Sequence, residues 1–530
     1  MTSNVPPVIP MGACCFLSER VWKTKWEIRP GDIRQTFLLT DQYPQWYILN
    51  TRWGIKTRGM KLNMFFQSFF DERLAQYAYL VGCQRTGEAI VIDPPRHSEA
   101  IIARAKKEGL NITAAAETHI HADFTSGARQ LAEDLGAKLY LPGEGGEDWS
   151  YQYTDGLDAV LLKDGDKFSI GNIDFKVMHT PGHTPESVSY LLTDRGSGAS
   201  EPMGIFTGDF VFVGDIGRPD LLEKAAGIAD TAEKGAVQMF DSVQKFKELP
   251  DHMIVWPGHG AGSACGKSLG AVPLTTVGYE KQFNWAMKEN DREEFVKQLL
   301  DGQPEAPKYF AMMKKVNKEG PALLNGEDIR ILEDAQEFNR LRGQEGTLVL
   351  DTRPAKDAGQ SLVKGSINIP FNKSFTNWAG WLIGYDQELL IIAEGGKEEE
   401  IREALESIHL DRITAFVRPE TAISASGTDS YDTLTVEEFV EAKKDDNTYV
   451  LDVRNDSEWE GGHMSDATHH FLGHLWDEEL PRDKELLVHC QSGARSAIAS
   501  SILKARGFDK VSHMAGGFGA YERKGYDTVK

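Results

Sequence analysis

At 530 residues and 41% hydrophobic, the chain is too long for one core and too apolar for a disordered one, so several globular domains are expected. A net charge of −22 disfavours nucleic acid and anionic lipid as partners. Five cysteines make no disulfide framework, which points to a reducing, cytoplasmic setting, and the longest apolar runs are strand-sized rather than membrane-spanning.

Residues 1–60 differ from the rest, with 8 Lys+Arg against 4 Asp+Glu and four of the 11 Trp. Neither a helix nor a strand period is sustained there, and no apolar signal-peptide core is present. Two readings compete: an import leader, or sequence upstream of a start at Met60 or Met64. The second is favoured because basic amphipathicity at helical spacing is missing, and residues 1–62 are expected to be poorly ordered.

From Met64 the pattern predicts a strand over 65–70, a hairpin of 77–83 with 89–93, and a helix over 98–108. Strands and helices then alternate to about residue 286, implying α/β layers. A charged helical stretch (288–300) and a Pro-containing linker (302–307) follow. Beyond them the sequence repeats: "TLVLDTRPAKDAG" from Thr347 parallels "TYVLDVRNDSEWEGG" from Thr448, and "ELLIIAEGGKEEEIREAL" from Glu388 parallels "ELLVHCQSGARSAIASSIL" from Glu485. Two tandem α/β domains of about 100 residues each are predicted, joined by "SASGTDS" at 424–430 as a linker.

Histidines and acids gather at predicted strand ends. "ETHIHADF" supplies His119, His121 and Asp123; "HTPGHTPES" supplies His183; "IFTGDF" ends at Asp209, and "VWPGHG" carries His259. Such groups, drawn from distant sequence to one rim of a sheet, are what a metal cage requires. One Thr-His-x-His turn would be unremarkable on a surface. Four motifs in this order and spacing resemble the metallo-β-lactamase superfamily over residues 64–287. That superfamily's usual His-x-His-x-Asp-His ends here in Phe124, which has no lone pair to give, so a two-zinc site is handicapped. Two imidazoles and a carboxylate on one face form the iron(II) oxygenase triad.

Resemblance to the persulfide dioxygenases of the superfamily implies one Fe(II) held by His119, His183 and Asp209. His121, Asp123 and His259 would then orient these ligands or touch oxygen and substrate. The same resemblance sets Arg218 near the pocket, with a salt-bridged arginine as the equal alternative. Cys265, near the same rim, is either a sulfur relay or, as favoured, a small buried thiol.

"VHCQSGARSAIASSIL" reads as strand, Cys490, a glycine turn, Arg495 and a helix. Backbone N–H groups and the helix dipole in such a loop stabilise thiolate and persulfide. It resembles the rhodanese active-site loop, the fit extending over residues 431–530. Four residues between Cys490 and Arg495, rather than five, favour sulfur over phosphate. In the middle copy Ala393 falls at the position of Cys490 and Glu398 at that of Arg495, so this domain is read as a pseudo-rhodanese with a docking role.

The whole chain resembles bacterial fusions of persulfide dioxygenase, pseudo-rhodanese and rhodanese. That implies an αββα metallo-β-lactamase fold with a helical linker (63–324), a pseudo-rhodanese (325–424) and a rhodanese (431–530). The implied partners are a small persulfide (of glutathione, coenzyme A or similar), dioxygen and sulfite, in a homodimer or homotetramer. Two other classes stay open: a glyoxalase II-type binuclear zinc thioester hydrolase, and a non-catalytic sulfur carrier with a decayed metal domain.

Overall fold

The computed structural model describes residues 64–221, 223 and 231–530; the extension expected over residues 1–62 lies outside them. The predicted first strand and hairpin are β1 (Met64–Asp71), β2 (Gln76–Cys83) and β3 (Glu88–Ile92), all antiparallel. Then β4 (Asn111–Ala116), β5 (Lys138–Pro142) and β6 (Ala159–Leu162) extend the sheet in parallel. A second six-stranded sheet, in the order β12-β11-β10-β9-β8-β7, comprises β7 (Lys167–Ile170), β8 (Ile173–His179), β9 (Val188–Asp194), β10 (Gly204–Gly208), β11 (Ile254–Pro257) and β12 (Thr275–Thr276).

Side-chain burial defines four layers. Leu80, Val91 and Leu139 from the first sheet pack with Ile101 of α1 (Glu99–Lys107) and Leu131 of α2 (Ala128–Leu135). The opposite faces of the sheets meet through Tyr79, Val81, Phe175, Tyr190 and Phe206. On the far side, Ile205 and Val255 pack against Met239 and Val243 of α3 (Thr231–Lys247). Strands apolar on both faces need cover on both faces, and the αββα sandwich provides it.

The expected helical stretch 288–300 divides into helices Trp285–Lys288 and Arg292–Leu300, and an unforeseen helix, Tyr309–Glu319, follows the linker. Two five-stranded parallel sheets come next. The first is ordered β13-β18-β17-β14-β16, from β13 (Ile331–Leu332), β14 (Thr347–Asp351), β16 (Ile367–Asn368), β17 (Glu388–Ile392) and β18 (Ile413–Val417); β15 (Leu362–Val363) lies outside it. The second is ordered β20-β24-β23-β21-β22, from β20 (Asp432–Leu434), β21 (Thr448–Asp452), β22 (Ala467–His469), β23 (Glu485–His489) and β24 (Val511–Met514). The segment 424–430 is not a free linker: helix Pro419–Ser426 runs into it, and β19 (Thr428–Asp429) pairs antiparallel with β15.

One apolar cluster crosses all three domains. It includes Phe124 and Cys265, then Tyr309, Phe310 and Met313 of the connecting helix, then Trp381 and Leu389, and finally Leu472 and Cys490. Arg96 adds a polar tie, donating from Nη2 to Asp411 Oδ2 at 2.8 Å and to the Ala322 carbonyl at 2.9 Å. Among the described residues no helix is long and apolar enough to cross a membrane.

Candidate metal centre and cysteine loop

Four motifs meet at one rim of the sandwich. His119 follows β4, His183 lies in the turn between β8 and β9, Asp209 follows β10 and His259 follows β11, and all are buried. Nε2 of His119 and Nε2 of His183 stand 3.9 and 3.5 Å from Asp209 Oδ2. Donors bound ~2.1 Å from one ion stand roughly 3–4 Å apart, so the spacing suits a shared cation better than direct hydrogen bonds. Among the described residues neither His119 Nε2 nor either oxygen of Asp209 has a hydrogen-bond partner. Unsatisfied buried groups are costly, and a metal ion would satisfy all three.

The far side of each ring fixes its tautomer. His183 Nδ1 lies 2.9 Å from the carbonyl oxygen of Arg218, which can only accept, so Nδ1 carries the hydrogen and Nε2 presents a lone pair. His119 Nδ1 lies 3.0 Å from Thr118 Oγ1, whose hydroxyl donates to Asp93 Oδ2 at 3.0 Å, giving the same result. Burial first, and then neighbouring imidazoles, hold His119 well below the usual histidine pKa. Both rings are neutral donors ready for a metal. Gly208 makes the approach possible: its φ is 50°, and a Cβ there would fall 2.3 Å from Thr118 Oγ1.

His121 faces elsewhere. Its Nε2 is 3.1 Å from Asp93 Oδ1, and although burial acts to lower its pKa, the Asp93 charge and hydrogen bond raise it to about 9. Phe124 sits against it with ring centroids 4.4 Å apart and packs into the interdomain cluster with Phe310 and Met313. The residue that departs from the usual motif is therefore part of the joint between domains. Asn317 of the connecting helix donates to the His121 and Phe124 carbonyls at 2.8 and 2.7 Å, fixing the motif's backbone. Glu186 accepts the Ile120 N–H at 2.8 Å and ties the His183 turn to the His119 loop; burial pushes its carboxyl up to about 7.

Next to the triad lies a second group. His259 Nε2 is 3.0 Å from Asp123 Oδ2 and 3.4 Å from Asp209 Oδ1. Asp123, His259 and Cys265 together present donor atoms within 4.8 Å of one another, all buried. The sequence reading placed Asp123 and His259 here and gave Cys265 no part in binding. Arg218, fully buried, does not point a free guanidinium at this rim: Nε and Nη2 donate to Asp220 at 2.7 and 2.6 Å, and Nη2 also to the Pro304 carbonyl at 2.6 Å. Its contribution to the triad is the backbone oxygen under His183.

In the C-terminal domain Cys490 follows β23 and is buried. The Gly493 N–H donates to its Sγ at 3.1 Å, and the thiol donates to Ser496 Oγ at 3.6 Å. Gly493, at φ 99°, turns the loop into helix Ala494–Ala505 and so directs that N–H at the sulfur. Arg495 is held by Glu458 in a bidentate pair of 2.6 and 2.7 Å. Asp93, Glu186, Asn317 and Glu458 all escape the motif reading. Asn317 had a signal, since Tyr309, Phe310, Met313 and Val316 mark one face of its helix.

A two-sheet sandwich with imidazoles and a carboxylate converging at its rim, followed by a cysteine loop at a parallel strand end, defines a metal-binding enzyme joined to a sulfurtransferase-like domain. The Metallo-beta-lactamase superfamily profile matches residues 71–259 and the Rhodanese-like domain profile residues 435–524. A crystal structure of a metallo-beta-lactamase from Staphylococcus aureus subsp. aureus COL is 46% identical with a TM-score of 0.63, and the match covers 67% of this chain and 99% of that one. The chain belongs to the metallo-beta-lactamase superfamily. It is also 33% identical over 183 residues to hydroxyacylglutathione hydrolase of Rhodospirillum rubrum, covering 34% of this chain and 61% of that protein. With a mitochondrial persulfide dioxygenase of Bos taurus it shares 29% identity over 198 residues, 36% of this chain and 67% of that one. The chain spans only 61% of the length of the first curated relatives it matches.

Proposed function

We propose that the metal domain oxidises a low-molecular-weight persulfide to sulfite and thiol, RSSH + O2 + H2O giving RSH + SO3²⁻ + 2H⁺, and that Cys490 carries sulfur in the coupled step. The observation that carries this reading is the set His119, His183 and Asp209, two neutral imidazoles and one carboxylate with unsatisfied donor atoms, beside a phenyl ring where the motif's next histidine would stand. Such a two-His, one-carboxylate set suits Fe(II) and leaves neighbouring positions open, where iron would supply oxygen activation and a seat for soft anionic sulfur. Thr118, Asp93 and the Arg218 carbonyl hold the two rings in the binding tautomer. Phe124 and the connecting helix keep water from one side.

On the second domain, a persulfide on Cys490 meets the Gly493 N–H and the start of a helix, both of which favour negative charge on sulfur. Transfer of its outer sulfur to sulfite, Cys-S-S⁻ + SO3²⁻ giving Cys-S⁻ + S2O3²⁻, makes thiosulfate. The test is oxygen consumption by the Fe(II)-reconstituted protein over a panel of glutathione, coenzyme A and other small persulfides. Uptake with at least one, abolished in His119→Ala, is expected; no uptake with any removes the reading.

A second reading has a specific observation behind it. Asp123, His259 and Cys265 supply a further donor group, and a hydroxyacylglutathione hydrolase is among the relatives. A binuclear zinc thioester hydrolase would turn over S-lactoylglutathione with two zinc ions per chain.

A further inference from the structure

We infer that Asp123, His259 and Cys265 form a second cation site of soft character, sharing Asp209 with the triad, in which Cys265 takes the place left by Phe124. This goes beyond the proposed oxidation and holds whichever reaction the triad supports.

The argument begins with His259. Its Nδ1 lies 3.1 Å from the Ala75 carbonyl oxygen, which has no proton to give, so Nδ1 bears the hydrogen. Nε2 is then aimed between Asp123 Oδ2 at 3.0 Å and Asp209 Oδ1 at 3.4 Å. A bare lone pair facing two carboxylates is repulsive, so a cation belongs at this point, either a proton on Nε2 or a metal ion. Two observations favour the metal. Neither oxygen of buried Asp123 has a hydrogen-bond partner among the described residues, leaving lone pairs that one proton cannot satisfy. And the third wall is a thiol, 2% exposed, which offers little to an imidazolium but binds zinc-like ions strongly once deprotonated.

The loop presenting Cys265 is fixed in place. The Cys265 N–H donates to Ser263 Oγ at 3.1 Å, its carbonyl accepts the Arg218 N–H at 3.2 Å, and Asp215 Oδ2 accepts the N–H groups of Lys267 and Ser268 at 2.9 and 2.8 Å. Asp209 stands between the two sites, with Oδ2 toward His119 and His183 and Oδ1 toward His259. The donor sets divide by softness: imidazole and carboxylate on one side, a thiolate added on the other.

The test is titration of the metal-free full-length protein with Co²⁺, read in the near ultraviolet for thiolate-to-cobalt charge transfer. A Cys490→Ser background removes the most accessible competing thiol. Two equivalents bound together with the charge-transfer band are expected. Cys265→Ser should lose the band and one equivalent; His259→Gln, which keeps the thiol, should lose the same equivalent. His119→Ala should keep the band. Binding of one equivalent without the band, or a band that survives Cys265→Ser, overturns the inference. Loss of oxygen uptake bears on the proposed oxidation alone, so the two ideas fail separately.

Discussion

The two C-terminal domains share a framework and differ in what it carries. In both sheets the central pair meets in the same register, Thr347 opposite Glu388 in one and Thr448 opposite Glu485 in the other, so Ala393 and Cys490 leave equivalent strand ends. The loop glycines Gly396 and Gly493 both take positive φ, 82° and 99°. Each domain buries an aspartate–arginine pair two residues apart: Arg353 Nη2 donates to Asp351 at 2.6 Å, and Arg454 Nη2 to Asp452 at 2.7 Å. The domain without a thiol keeps that pair, so the pair serves the framework and not the sulfur chemistry. What changes is the charge at the loop's end. Glu398 pairs with Arg418 where Arg495 pairs with Glu458, and a carboxylate there repels an anionic sulfur donor.

The largest expected effect separates the domains outright. Cys490→Ser should abolish sulfur transfer from thiosulfate to cyanide and stop thiosulfate formation, while oxygen uptake persists. Adding Ala393→Cys should not restore transfer, because Glu398 remains; restored thiocyanate formation would break the contrast drawn here. Next in size, Arg353→Ala and Arg454→Ala should each cost about 3–5 kcal/mol by leaving a buried carboxylate unpaired. Near-equal shifts in denaturant midpoint would sharpen the view of a shared framework, and a cost confined to Arg454 would refute it.

Only the middle domain has the Arg96 tie to the metal domain, which gives it a pH dependence. Burial acts to raise the Asp411 pKa, but hydrogen bonds from His409 and Arg96 outweigh it and hold it at about 2, below the usual 3.8. A depressed carboxylate contributes stability above its unfolded pKa and loses it as pH falls toward the folded one. Allowing for its partial exposure, about 1–2 kcal/mol should disappear between roughly pH 4 and 2, and Arg96→Ala should remove that dependence from acid melts. Smallest of all, Glu398→Gln should change stability by under about 1 kcal/mol, since its partner is partly exposed.

The repeat, the metal motifs and the Cys490 loop were legible because each rests on local spacing. Thr347 and Thr448 begin matching strands, and the His119, His183 and Asp209 motifs sit at strand ends as expected. What depended on distant contact was not legible. The "SASGTDS" stretch has the composition of a linker, yet the pairing of Thr428–Asp429 with Leu362–Val363 across the domain decides its conformation. Arg218 had a visible neighbour in Asp220, but not Pro304, which completes its capture. Cys265 reads alone as a small buried thiol, and only the folded loop sets it beside Asp123 and His259. Phe124 was read for the ligand it fails to be. Its packing against the Tyr309–Glu319 helix needed the fold.

The apolar cluster running from Phe124 through Tyr309 and Trp381 to Leu472 leaves no wet seam where the domains could part. Excising one of them would bare a broad oily surface, so the pieces are poor candidates for separate expression. A nick within 302–307 should be survivable. The severed halves would travel together through gel filtration, holding both chemistries side by side until denaturant pulls them apart.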